Sequence, residues 1–254
     1  MKKKIIIANW KMSLGPKQTL NLTEALLKKC QAEEQQTVEV VICPSFIILN
    51  EVSQKIANSK IALGAQNCFW HEEGAFTGEV SPSSLKDFGC EYVILGHSER
   101  RGYLKETDKM VNQKVGAAIK NHLIPIVCIG ETFEERQAGN KDFIIMQQIN
   151  RALEGIELSN EQQLIVAYEP VWVIGSGQAV EPLEAEHTNQ VIRHVMLDHF
   201  SLETINKQIR FIYGGSVSSE NINLFMAQPT VEGALVGGAS LEAETFYKLI
   251  KAAM

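Results

Sequence analysis

Short apolar runs recur along the chain at intervals of roughly 30 residues, and amphipathic segments lie between them. The runs are nearly continuous in apolar residues, a pattern that is typical of parallel strands buried on both faces. They predict strands at Lys4–Asn9, Val38–Cys43, Ile61–Ala65, Tyr92–Leu95, Ile124–Ile129, Leu164–Tyr168, Ile209–Tyr213 and Gly233–Val236. Helical periodicity is clearest at residues 18–31, 109–120, 143–153, 183–199 and 241–251.

Eight strand-then-helix units within 254 residues predict a closed (β/α)8 barrel of eight parallel strands surrounded by helices. An open doubly wound sheet is the alternative, but that fold more often has fewer strands and a glycine fingerprint after its first strand. Asn9-Trp10-Lys11 stands at that position instead. No linker, low-complexity tract or repeat divides the sequence, so we predict a single domain that spans residues 1–254.

Composition narrows the partners and the compartment. The net charge of −6 argues against nucleic acid or an anionic membrane as the main partner, so an anionic substrate would need a local positive site. The apolar run from Ile5 to Ala8 is too short for a secretory signal, and no run reaches membrane-spanning length. The five cysteines lie at least 13 residues apart without a CxxC pair, which predicts neither a disulfide framework nor a zinc site. We therefore expect a cytoplasmic protein without a bound metal.

Polar side chains and glycines follow several predicted strands at their carboxyl ends, where (β/α)8 barrels carry function. The most informative stretch, residues 167–177, starts inside a buried strand that delivers a carboxylate, Glu169, and continues as a loop with two glycines in its tail. A carboxylate beside a loop that can close and exclude water suits the abstraction of a proton from carbon. Other strand ends carry Asn9, Lys11, His97, Gly214-Gly215-Ser216 and Gly237-Gly238.

These residues have direct chemical interpretations at a barrel mouth. Glycine turns after the seventh and eighth strands let the backbone approach an anion, and this is the usual phosphate site of the fold. A helical pattern follows each turn, and a helix N-terminus favours an anion. Lys11 is a candidate for charge stabilisation. His97 precedes the helix-like start Ser98-Glu99-Arg100, which disfavours an imidazolium and predicts a neutral hydrogen-bond donor.

Eight motifs accompany these residues in a fixed order. They are ANWKM at residues 8–12, GAQN at 64–67, GAFTGEVSP at 74–82, VILGHSERR at 93–101, CIGET at 128–132, YEPVWVIGSG at 168–177, YGGSV at 213–217 and LVGGASL at 235–241. Together they resemble the triosephosphate isomerase family across essentially the whole chain. The resemblance implies interconversion of dihydroxyacetone phosphate and glyceraldehyde 3-phosphate, a step of glycolysis and gluconeogenesis, without a metal or a cofactor.

The resemblance also implies a role for each site residue. It makes Glu169 the base, His97 the electrophile and Lys11 a cation near the substrate oxygen and the phosphate. Glu99 is implied as a supporting carboxylate and Asn9 as a polar contact. The implied phosphate contacts are Gly175, Ser216, Gly237 and Gly238.

A homodimer is predicted through the segment from Cys68 to Pro82. The segment is long for a βα loop, where about 2–6 residues are usual, and Phe69, Trp70 and Phe76 make it too apolar for a solvated loop. Folding back over its own barrel is the alternative. The resemblance implies insertion into a neighbouring subunit, with Thr77 approaching the region of the partner's Lys11.

Three positions depart from the residues usual in the family, and none of them carries the chemistry. Ser13 replaces an asparagine in the first loop, and we expect it to alter that loop's subunit contact. Val173 replaces an alanine inside the mobile loop, a small increase in volume that should be tolerated. Gln178-Ala179-Val180 replaces Lys-Thr-Ala at the hinge, so we expect loop motion at an altered rate.

Two other functions stay open at this stage. Another phosphate-binding barrel, such as an aldolase, would carry a Schiff-base lysine on a central strand, whereas the sixth strand here ends in Glu169. A non-catalytic barrel used for binding or adhesion is favoured where Lys11, His97 or Glu169 is missing, and this sequence contains all three.

Overall fold

The computed structural model describes residues 2–31 and 37–254, and its centre is a closed barrel of eight parallel strands that neighbour each other in chain order. The strands are β1 (Lys4–Asn9), β2 (Val38–Cys43), β3 (Ile61–Ala65), β4 (Tyr92–Leu95), β5 (Ile124–Ile129), β6 (Leu164–Tyr168), β7 (Ile209–Tyr213) and β8 (Gly233–Val236). Every strand has the bounds predicted from the sequence. The (β/α)8 prediction is thereby confirmed, while residues 1 and 32–36 of the predicted domain lie outside the described residues.

Helices surround the barrel. Within the described residues they are α1 (Pro16–Gln31), α2 (Leu49–Ile56), α3 (Pro82–Asp87), α4 (Ser98–Leu104), α5 (Asp108–Lys120), α6 (Phe133–Gln137), α7 (Lys141–Leu153), α8 (Pro182–Val195), α9 (Leu202–Gln208), α10 (Ile222–Met226) and α11 (Ala243–Ala252). None of them is long and apolar enough to cross a bilayer.

All five predicted helices differ from the observed ones at one or both ends, and two of the differences have a clear local cause. The helix predicted at 183–199 ends at Val195, because its last turn tightens into a 3₁₀ turn at Met196–Asp198 that side-chain periodicity does not distinguish. The helix predicted from residue 241 begins at Ala243, because Gly238–Ser240 forms a separate 3₁₀ turn directly after β8.

The core has two layers that follow the alternation of side chains along each strand. On β1, Ile5 and Ile7 belong to the cluster inside the barrel, while Ile6 and Ala8 pack outward with the helices. The same alternation explains why the strands appear as continuous apolar runs in the sequence. The inside of the barrel is therefore packed with side chains.

The N-terminal end of the barrel is filled by polar side chains that satisfy one another. Arg210 on β7 forms an ion pair of 2.6 Å with Glu39 on β2, and the hydroxyl of Tyr92 on β4 donates to the same carboxylate. Burial raises the pKa of Tyr92, so its hydroxyl keeps its proton as a donor. These contacts join side chains of β2, β4 and β7 at this end, while the cavity of the barrel lies at the carboxyl ends of the strands.

Candidate active site

The mouth of the barrel holds a cavity of about 290 Å³. Eight of the nine site residues predicted from the sequence line it, namely Asn9, Lys11, His97, Glu169, Gly175, Ser216, Gly237 and Gly238. The ninth, Glu99, lies outside this lining and contacts it through Lys11. Hydrophobic neighbours that sequence reasoning did not single out, Ile174, Val217, Leu235 and Val236, complete the wall.

Lys11 enters the cavity from a backbone conformation that is rare for a side-chain-bearing residue. Its φ is +50°, in the left-handed region. Hydrogen bonds hold this conformation on both sides: Asn9 Oδ1 accepts from the Lys11 N–H at 3.0 Å, and Gln66 Nε2 donates to the Lys11 carbonyl at 2.8 Å. The Lys11 ammonium lies 2.5 Å from Glu99 Oε1. The cation is therefore fixed by its backbone and by one carboxylate.

His97 is the N-cap residue of α4. Its Nδ1 accepts a hydrogen bond of 3.2 Å from the backbone N–H of Glu99. An accepting Nδ1 has no proton, so the neutral ring carries its proton on Nε2. An imidazolium would have to give up this bond, because both of its nitrogens bear protons. The helix start thus favours the neutral donor that the sequence predicts, with Nε2–H on the cavity side.

Glu169 follows β6 and is only 2% exposed. Its Oε2 accepts a hydrogen bond of 2.9 Å from the backbone N–H of Ser98. Its Oε1 lies 3.2 Å from His97 Nε2 but is not aligned for a hydrogen bond with it or with any other group among the described residues. A buried carboxylate oxygen without a hydrogen bond is costly, and it is a ready acceptor for a proton from a ligand.

The loop at residues 171–177 reaches the cavity through Gly175, which has a φ of +75°. Its first turn is tied to Glu131, whose Oε1 accepts from Trp172 Nε1 at 3.0 Å and from the Tyr168 hydroxyl at 3.3 Å. Burial raises the pKa of Glu131. Sequence reasoning missed this residue, although a carboxylate so close to the end of the apolar run of β5 was the available signal.

The two predicted phosphate turns differ from one another. After β8, Gly237 is the N-cap of the turn Gly238–Ser240, as the sequence predicts. After β7, α10 begins at Ile222, so the predicted helical segment follows this turn at a distance from Ser216. A longer connection intervenes. The Lys11 ammonium is near the first turn, since a Cβ built on Gly237 would lie 3.8 Å from its Nζ.

The fold and the mouth together define a (β/α)8-barrel enzyme whose carboxylate, imidazole and ammonium face glycine-rich turns suited to an anion. A family model described as Triosephosphate isomerase matches residues 4–253. A triosephosphate isomerase of Dictyoglomus thermophilum is 43% identical over 251 residues, covering 99% of this chain and 100% of its own. One from Carboxydothermus hydrogenoformans is 44% identical, with 99% of each chain covered. The chain belongs to the triosephosphate isomerase family.

Proposed function

We propose that the barrel mouth interconverts dihydroxyacetone phosphate and D-glyceraldehyde 3-phosphate, in glycolysis and gluconeogenesis, with Glu169 as the base. Membership of the family supports the reaction. The observation that carries the role of Glu169 is its buried Oε1, which lies beside His97 Nε2 and accepts no hydrogen bond from the residues that the structure describes. The whole chain, residues 1–254, works as one domain, and the buried free thiols of Cys43, Cys68, Cys90 and Cys128 suit a reducing cytoplasm.

The substrate lies with its phosphate against the backbone of the glycine turns. This surface is supplied by Gly175, Ser216, Gly237 and Gly238. Lys11 adds a positive charge at the cavity of a chain whose net charge is −6. A volume of about 290 Å³ suits a small ligand such as a triose phosphate, since drug-sized ligands occupy about 300–1,000 Å³.

The reaction moves one proton between neighbouring carbons. Glu169 removes it from the carbon next to the carbonyl, and the electron pair left behind forms an enediolate. The Nε2–H of His97 and the ammonium of Lys11 stabilise the charge on the enediolate oxygens. Glu99 holds Lys11 in place from outside the cavity, and Asn9 holds its backbone. The hydroxyl proton passes from one enediolate oxygen to the other through His97 Nε2, which leaves the negative charge on the first oxygen. Glu169 then returns its proton to the adjacent carbon, so that a carbonyl forms at the first carbon and a hydroxyl at the second.

Closure of residues 171–177 over the mouth excludes water during this sequence. The exclusion matters because an exposed enediolate phosphate can eliminate its phosphate instead of accepting the proton. The turn around Gly175 is the part of the loop that reaches the cavity, so it carries the contact with the ligand.

The reaction is tested in deuterium oxide with a coupled assay. Turnover of glyceraldehyde 3-phosphate should be fast, insensitive to borohydride, and should place solvent deuterium on the carbon of dihydroxyacetone phosphate that receives the proton. Inactivation by borohydride in the presence of substrate would favour a Schiff-base aldolase instead. Binding of the triose phosphate without turnover would favour a non-catalytic binding barrel.

The enzyme works as a homodimer built on the segment from Cys68 to Pro82. Residues 71–79 of this segment are all exposed, which argues against folding back over their own barrel. The segment is held together by its own rings, with Phe69 and Phe76 centred 4.7 Å apart. Large apolar side chains are exposed elsewhere on the protein, with Met12 at 95% and Ile47 at 75%, and such side chains suit burial by a second copy.

Insertion of this segment beside the partner's Lys11 would couple association to activity, with Thr77 at the contact. Sedimentation and activity are measured together during serial dilution. We expect specific activity to fall as the dimer dissociates. A monomer at micromolar concentration with full kcat would overturn both the interface and its coupling to catalysis.

A further inference from the structure

The backbone around Glu169 is supported by residues 129–131, which are the last residue of β5 and the two residues after it. The Glu169 N–H donates to the carbonyl of Ile129 at 2.7 Å, and the Val171 N–H donates to the carbonyl of Glu131 at 3.1 Å. Between these two contacts lies Gly130, where an added Cβ would sit 1.6 Å from the Glu169 carbonyl oxygen. The two segments of the chain are therefore in direct backbone contact, and the position of Gly130 constrains the position of Glu169.

The peptide groups of Gly130 are held from the other side. Its neighbours direct their carbonyls to the segment that carries Glu169, so its own N–H and carbonyl need partners elsewhere. Both find them on one side chain of α7: the Gly130 N–H donates to Gln148 Oε1 at 2.8 Å, and Gln148 Nε2 donates to the Gly130 carbonyl at 3.0 Å. A side-chain amide offers one acceptor and two donors, which complements a backbone N–H and carbonyl pair.

We propose that Gln148 is a positioning residue for the proton transfer. It lies outside the cavity lining and acts through Gly130, whose amide and carbonyl it clamps while the opposite face supports Glu169. This inference rests on the proposed role of Glu169 as the base. Its kinetic weight follows from geometry, since a displacement of about 1 Å at a reacting group costs on the order of 10²-fold in rate.

The first test is Gln148→Leu, which keeps the bulk of the side chain and removes both hydrogen bonds. We expect kcat to fall about 10- to 100-fold while KM stays within about twofold, because most of the phosphate surface, at Ser216, Gly237 and Gly238, follows β7 and β8 rather than β6. Deuterium on the transferred position should slow kcat more in this variant than in the wild type, since proton abstraction becomes the slower step. Inhibition by inorganic phosphate should be unchanged.

The matched control is Gln147→Leu. Gln147 is the adjacent residue on α7, is half-buried like Gln148, and makes no side-chain hydrogen bond within the described part of the chain. Its kcat and isotope effect should equal those of the wild type. Equal losses of kcat in the two variants would overturn the proposal, because they would reflect a general disturbance of α7.

A second variant, Gln148→Glu, separates positioning from folding. It keeps an acceptor for the Gly130 N–H but places a carboxylate oxygen against the Gly130 carbonyl. Protonation restores a donor, so the ratio of its kcat to that of the wild type should rise as the pH falls toward about 4.3, the ordinary pKa of glutamate. A ratio that does not change with pH would overturn the proposal, including the case in which Gln148→Leu does not fold.

Glu169→Gln distinguishes a failure of the proposed base from a failure of the positioning role of Gln148. If it keeps wild-type kcat, the proposed base is wrong, and the role of Gln148 falls with it. If it loses activity while Gln148→Leu keeps kcat within twofold of the wild type, only the positioning role of Gln148 is wrong.

Discussion

The barrel mouth and the shell formed by α4 and α5 behind β4 each contain a buried carboxylate near the turn that carries His97. The two carboxylates differ in the hydrogen bonds that they accept. In the shell, Glu106 accepts the Gly96 N–H at 3.1 Å, Arg100 Nε at 2.6 Å and Lys114 Nζ at 2.7 Å. In the mouth, Glu169 receives one backbone hydrogen bond, and its second oxygen receives none within the described residues.

This difference indicates that Glu106 has a structural role and that Glu169 is available for chemistry. Burial alone would raise the pKa of Glu106, but the hydrogen bonds and charges of Lys114 and Arg100 outweigh it and hold the pKa below its ordinary value. Glu106 is thereby kept ionised by the protein itself. Glu169 keeps one oxygen that has no hydrogen bond among the described residues and lies 3.2 Å from His97 Nε2. Satisfaction of hydrogen-bonding capacity, rather than burial, therefore distinguishes the two carboxylates.

The largest expected effect on stability comes from Glu106→Gln. It leaves the buried ammonium of Lys114 without its counter-charge, and breaking a buried pair in this way costs about 3–5 kcal/mol in the free energy of unfolding. Denaturant unfolding at a fixed protein concentration measures it. Glu203→Gln, which breaks the exposed pair with Lys207, is the control and should change stability little. An equal change in the free energy of unfolding for both variants would contradict a larger contribution from the buried Glu106–Lys114 pair.

Lys11→Met sharpens the contrast between the two Lys–Glu pairs. The Lys11–Glu99 pair is partly exposed, with side chains at 25% and 41%, whereas the Lys114–Glu106 pair is buried. We expect Lys11→Met to weaken binding of a phosphate-bearing inhibitor by about 2–5 kcal/mol. The free energy of unfolding should change by about 1 kcal/mol or less, since exposed pairs contribute little. Calorimetric titration measures the first and denaturant unfolding the second; unchanged inhibitor affinity would place Lys11 outside the site.

The smallest effect is a pH dependence with a defined sign. Because the pKa of Glu106 is lowered in the folded state, its contribution to stability is present above the unfolded value of about 4.3 and is lost as the pH falls through the folded value. The stability difference between the wild type and Glu106→Gln should therefore narrow in acid. Unfolding curves at a series of pH values from neutral to acidic check it, and a difference that widens in acid would contradict the assignment.

Sequence alone was sufficient for the strands and for the residues at the mouth. The strands are buried on both faces, so they appear as apolar runs in the sequence, and every predicted strand bound holds. Most residues at the mouth follow from one topological rule, because parallel strands of a barrel deliver their carboxyl ends to one rim, while Gly175 was implied by the family resemblance.

The contacts that could not be predicted from the sequence lie where segments that are distant in the chain approach each other. The support of Gly130 by Gln148 joins a strand end to a helix 18 positions away, and nothing in the periodicity of α7 marks the contact. The link from Glu131 to Trp172 spans 41 positions. A side chain that serves a backbone group elsewhere in the fold has the same sequence signature as an ordinary polar surface residue.

The central claim is that the open oxygen of Glu169 is kept for the proton of the substrate. Glu169→Gln tests it most directly, because glutamine keeps an oxygen for the Ser98 N–H and removes only the basic group. We measure kcat and the free energy of unfolding on the same preparation. The account predicts a kcat lower by about 10²–10⁴-fold with no loss of stability. A kcat above about a tenth of the wild-type value, or a destabilisation as large as that of Glu106→Gln, would contradict it.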